Sequence, residues 1–128
     1  MKFADVTPNL VVSDIDRSLA FYRDVLGFSI VTTVPEQPPF AFVWLQRDTV
    51  NVFLNSEAAA GMTAAPGTNI LFITLEPGDI AAGIDALFAA VKDRAPVEMP
   101  VTDQFYGMRE FTITDPDGYV ITFAQPNR

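Results

Sequence analysis

Residues 6–28 read VTPNLVVSDIDRSLAFYRDVLGF, and this stretch decides how the rest of the chain is parsed. Its first half continues a β-rich run over residues 3–12 that ends at Ser13-Asp14. Either residue suits a helix N-cap, because a short side-chain oxygen there accepts a backbone N–H that the first turn leaves free. Ile15, Leu19, Tyr22 and Leu26 then recur at helical spacing, with Phe21 and Val25 widening the stripe. Gly27 predicts the stop, since glycine enters the left-handed region without a Cβ penalty.

Outward from there, residues 28–34, 40–46 and 50–55 are strand candidates, joined by Pro35, Pro38 and Pro39 and by a tight turn at Arg47-Asp48. Residues 56–67 are small and turn-rich and form the best internal boundary. A strand over 68–75 then leads through Glu76-Pro77-Gly78-Asp79 into a second helix striped by Ile80, Ile84, Leu87, Phe88 and Val91. Residues 97–101, 108–114 and 119–124 complete the second set, with Asp117-Gly118 as a hairpin signal. Val11 against Ile73 and Asp14 against Asp79 are offset by close to half the chain. The expectation is an α+β single domain over residues 1–128, made of two tandem βαβββ modules at about 1–60 and 67–128. A one-faced sheet and one amphipathic helix in each half need covering surfaces. Periodicity alone leaves a ferredoxin-like sandwich open.

The 128 residues contain no histidine and no cysteine, which removes imidazole and thiol chemistry. Sixteen acidic residues against eight basic ones give a formal charge of −8, a field that repels phosphate-rich partners and speaks against nucleic-acid binding. A cationic small molecule is favoured by the same field, although acidity also keeps an apolar chain soluble. No apolar run approaches the roughly 20 residues of a membrane helix. The first six residues lack the basic and apolar regions of a signal peptide, so a cytoplasmic location is expected.

The opening stretch, together with DPDGYVITF at residues 115–123, resembles the vicinal oxygen chelate superfamily, which includes glyoxalase I, extradiol dioxygenases and bleomycin-resistance proteins. That resemblance implies a curved mixed sheet around a cleft. It also implies either a divalent metal held by His, Gln and Glu or, in the drug-binding members, none. The family's four ligand positions match Thr7, Asn51, Asn69 and Thr122 here. Four neutral oxygens neither neutralise a divalent ion nor offset its lost hydration, so the expected cofactor and metal are none.

Acidic groups elsewhere leave two candidate bases. Glu110 lies mid-strand with Arg109 and Phe111 on the opposite side, and Asp103 lies in a loop. Each also reads as a salt-bridged or solvated residue, and Asp115 and Asp117 read as turn formers. Phe40, Phe42 and Trp44 alternate along one strand, while Phe53 shares parity with Asn51 and Asn55. Phe105-Tyr106 lies in the loop before a late strand. Such rings suit a flat aromatic ligand, because offset stacking adds roughly 0.5–1.5 kcal/mol beyond area burial. Core packing is the competing reading for the strand aromatics, and it is assigned outright to Phe3, Phe21, Phe28, Phe72, Phe88 and Phe111.

The resemblance implies a metal-free binding protein of the bleomycin-resistance kind, taking an amphipathic, cationic aromatic compound and associating as a homodimer. The ligand-contact candidates are Thr7, Asn9, Phe40, Trp44, Asn51, Phe53, Asn69, Phe105, Tyr106, Met108, Glu110 and Thr122. The alternative is a metal-independent lyase or isomerase using Glu110 or Asp103 as base.

Overall fold

The computed structural model describes residues 1–65, 67 and 70–127. The chain divides into two compact units, Met1–Ala64 and Ala65–Arg128. Each carries a four-stranded mixed sheet with the same plan: the first strand of the unit lies parallel to the last, and the remaining pairs are antiparallel. Among the described residues no helix is long and apolar enough to cross a membrane.

In the first unit β1 (Asn9–Val12) leads into α1 (Ile15–Ala20), which continues as one wide π-helical turn over Phe21–Val25. Asp14 is the N-cap, its side chain accepting from the Arg17 N–H at 3.1 Å. Gly27, at φ +74°, reverses the chain, and Phe28 N–H returns to the Tyr22 carbonyl at 2.9 Å. Arg47 donates to the Leu26 carbonyl at 2.6 Å and so covers an acceptor that the helix end leaves open. The sheet runs β1-β4-β3-β2, with β2 at Ser29–Val34, β3 at Phe42–Arg47 and β4 at Val50–Ser56. Leu10, Val12, Val43, Leu45, Val52 and Leu54 are buried along one side of the sheet, and Leu19, Tyr22 and Leu26 are buried on the helix. Tyr22 meets Phe21 and Phe28 edge-on at 5.2 and 6.0 Å.

A short α2 (Glu57–Ala60), capped by Ser56, ends the first unit's ordered elements. In the second unit the sheet order is β5-β8-β7-β6, with β5 at Ile70–Thr74, β6 at Val97–Asp103, β7 at Met108–Thr114 and β8 at Val120–Pro126. Helix α3 (Ile84–Val91) packs on β7 and β8. Phe111 stacks on Phe123 at 5.1 Å and takes Phe88 of the helix at the same distance, with Ile84, Val91, Ile113 and Ile121 fully buried around them. Full burial of each such side chain stabilises the fold by roughly 1.5–3 kcal/mol. The Asp115 carboxylate accepts from the Asp117 and Tyr119 N–H groups, both at 2.9 Å, and so builds the turn before β8.

Several expectations are corrected. The first strand starts at Asn9 rather than residue 3: Pro8 has no N–H to give a ladder, and Phe3 is 95% exposed instead of joining the core. Phe72 is also exposed, because it lies on the side of β5 opposite the buried Leu71. The second helix begins at Ile84, not Ile80. Ile80 sits in a turn whose carbonyl accepts from Gly83 and Asp85, and the free N–H of Ile84 is taken by Gln125 of β8 at 2.8 Å. Phe40 precedes β3 instead of lying on it.

Candidate functional site

The side of the first sheet away from the buried aliphatic residues carries a joined aromatic and amide surface. Strand alternation brings Phe42, Trp44 and Gln46 of β3 to the same side as Asn51, Phe53 and Asn55 of β4. Trp44 faces Phe53 across the ladder, and Gln46 faces Asn51. Phe53 is the hub of the rings, edge-on to Phe42 at 5.1 Å and to Trp44 at 5.9 Å. Trp44 Nε1 donates to Asn51 Oδ1 at 2.8 Å, and Gln46 Nε2 donates to the same oxygen at 3.0 Å. Beside them Asn55 Nδ2 donates to Asn9 Oδ1 of β1. All three rings are half-buried, so their surface is available in a part-dry setting.

The second sheet presents a different chemistry. Glu110, Thr112 and Thr122 share one side of β7 and β8, and all three are buried, Glu110 to 4% exposure. Tyr106 Oη donates to Glu110 Oε2 at 2.8 Å, a bond that holds the phenol protonated to higher pH than usual. The two threonine hydroxyls bond each other at 2.8 Å. Met108, at the start of β7, is half-buried, whereas Phe105 in the preceding loop is 98% exposed with its ring edge-on to Tyr106.

Arg109 points to the other side, as its parity requires. Its guanidinium bonds Asp85 of α3 at 2.8 Å and Asp103 at the end of β6 at 2.9 Å. The Arg109 bond holds the Asp103 carboxyl below the usual carboxylate range, so this candidate base is a poor proton acceptor in the folded chain. A depressed folded pKa stabilises above the unfolded value of about 3.9 and is lost as pH falls through the folded one. Asp103→Asn is therefore expected to lower the melting temperature slightly above about pH 5, with the gap to the native chain closing in stronger acid. Melting curves across pH 2–7 check this, and a constant gap would contradict it.

Of the four positions that match the family's metal ligands, Thr7 is half-buried just before β1, and Asn69 lies outside the described residues. Asn51 uses both lone pairs of its carbonyl on Trp44 and Gln46, and Thr122 is engaged with Thr112. Among the described residues no group of three or more His, Cys, Asp or Glu side chains comes together. The donors present do not fit a divalent metal, which requires charged oxygen, imidazole or thiolate partners.

Gln46, Thr112 and Gln125 were not singled out from sequence. The first two carry a usable signal, since each shares strand parity with a chosen residue, Trp44 or Glu110. Gln125 carries none, because its partner is a distant helix start.

The Glyoxalase/Bleomycin resistance protein/Dioxygenase superfamily model matches residues 3–123. A bleomycin resistance protein of Geobacillus stearothermophilus is 27% identical over 132 aligned positions, covering 92% of this chain and 93% of that protein. Among solved structures, the lactoylglutathione lyase of Agrobacterium tumefaciens superposes with a TM-score of 0.75 at 21% identity, over 98% of this chain and 95% of that one. TioX of Micromonospora sp. ML1 gives 0.73 at 18%, over 97% and 99%. These two share the fold, and the family-model match over residues 3–123 establishes the kinship. The chain belongs to the Glyoxalase/Bleomycin resistance protein/Dioxygenase superfamily.

Proposed function

We propose that this chain is a metal-free small-molecule binding protein of the bleomycin-resistance type, which sequesters an amphipathic, cationic aromatic compound and works as a homodimer. The observation that carries this reading is the half-buried Trp44, pinned by Asn51 and buttressed by Phe53. Such a ring offers stacking surface with little freedom left to lose on binding. The net charge of −8 adds attraction for a cation, and the 27% identity to a bleomycin resistance protein supports a binding role.

Trp44 is the single tryptophan, so its fluorescence reports on this face directly. Titration with a metal-free cationic glycopeptide of the bleomycin class is expected to give saturable quenching, unchanged by chelator, with a dimer seen in sedimentation. Absence of quenching by this compound and by planar cationic aromatics, or a requirement for added metal, would sink the reading.

A second reading is favoured by one observation, the buried Glu110 carboxylate with a phenol as its donor. In a metal-independent lyase or isomerase using Glu110 or Asp103 as base, Glu110 is the favoured one, since the bond to Arg109 lowers the basicity of Asp103. Glu110→Gln then abolishes turnover while melting stays near native. Binding without turnover in the native chain excludes this reading.

A further inference from the structure

The indole of Trp44 has one polar atom, an N–H that can only donate. Its partner at 2.8 Å is therefore the carbonyl oxygen of Asn51, and the orientation of that amide is dictated by chemistry. Gln46 Nε2 reaches the same oxygen at 3.0 Å, which fills its second lone pair and orients the Gln46 amide in turn. Asn51 Nδ2 and Gln46 Oε1 are left with no partner among the described residues. The two residues are directly opposed in the β3–β4 ladder, so the open donor and the open acceptor belong to facing side chains joined by one hydrogen bond. The group complementary to that pair is an amide edge, with a C=O and an N–H pointing the same way.

We infer that this face recognises a planar aromatic compound through a primary carboxamide or lactam edge. The ligand carbonyl accepts from Asn51 Nδ2, its N–H donates to Gln46 Oε1, and its ring lies against Trp44 and Phe53. The inference rests on the binding reading above and names the ligand class within it. A carboxylate would meet the Gln46 oxygen with a second acceptor, and an ester or ketone would leave that oxygen without a donor. Gln46 is exposed in the free chain, so discrimination comes from the polar group that a bound ring covers and leaves unmatched, which costs more than a matched bond contributes.

The test uses the intact chain and a nitrogen–proton correlation spectrum, in which Trp44 supplies the only indole N–H. Naphthalene-2-carboxamide, its N,N-dimethyl derivative and the corresponding methyl ester are titrated in parallel. The primary amide is expected to bind about tenfold more tightly than either analogue and to move the Trp44 indole and Asn51 side-chain signals together. In Gln46→Met the acceptor for the ligand N–H is gone while the Trp44–Asn51 bond remains, so the preference disappears while the indole signal stays near its native position. Equal affinity of the native chain for all three compounds, or a preference that survives Gln46→Met, overturns the amide edge and leaves the aromatic platform standing. No shift with any of the three overturns the amide edge, while the cationic binding reading stands or falls on the fluorescence titration.

Discussion

Gly83→Ala should lower the melting temperature by about 6–10 °C, taking about 2 kcal/mol for overpacking and about 3–5 °C per kcal/mol for a chain of this size. The cause is a single atom. Gly83 stands immediately before α3, and a Cβ there runs into Gln125 Oε1, with Cδ and Nε2 of the same amide both at 3.0 Å. Gln125 cannot swing aside freely. Its oxygen accepts the Ile84 N–H at 2.8 Å, its nitrogen donates to the Gly78 carbonyl at 3.3 Å, and the side chain is 1% exposed. Gln125→Ala leaves the buried Ile84 N–H without a partner, and is expected to destabilise by roughly 1–3 kcal/mol. The double variant distinguishes the mechanism. With the amide gone the added methyl has nothing to strike, so the two losses should fall well short of additive. Additive losses would mean that Gly83 matters for its backbone and not for the room it leaves.

Trp44→Ala is expected to weaken ligand binding by at least 30-fold, as truncation of a central aromatic anchor costs about 2 kcal/mol or more. The ring is lost, and so is the donor that sets the Asn51 amide. Trp44→Phe should recover part of the affinity, restoring stacking surface but not the N–H. Calorimetric titration of both variants measures this, because their tryptophan signal is gone. Equal binding by the native and alanine chains would place the ligand elsewhere. Stability should fall less than affinity, since Trp44 is only half-buried and touches Phe53 by its edge.

Much of the fold was legible because short-range rules govern it. Asp14 capping α1 and Gly27 at positive φ both follow from local chemistry, and the paired βαβββ halves follow from the alternation and helical stripes. Alternation gives the parity of a strand residue, however, not which side of the sheet is covered. That is why Phe72 was assigned to the core and is found exposed. The hairpin shows how finely a site depends on a turn. Placing the turn at Arg47-Asp48 sets Gln46 opposite Thr49. The structure turns one residue later, with Asp48 at φ 51° and Arg47 opposite Val50. That shift sets Gln46 against Asn51 and Trp44 against Phe53, which is the pairing the amide network requires. Asp tolerates the left-handed region better than most residues, so the later turn had a local cause. The Gln125 cap had no local cause, since the helix start and the strand residue are far apart in sequence.

Strand β2 carries a liability of another kind. Its six residues, SIVTTV, bear no charge and no proline, and Ile30, Val31 and Val34 are exposed at the outer edge of the first sheet. A short, uncharged, β-prone edge is a template on which further chains can add strands, the first step toward fibrils. Glu36 and the prolines at 35, 38 and 39 act as gatekeepers immediately after it. The remaining safeguard is the molecule's repulsion of its own kind through its excess of carboxylates. Acid storage and high salt weaken that repulsion, so this chain keeps longest as a colloid in neutral, dilute buffer.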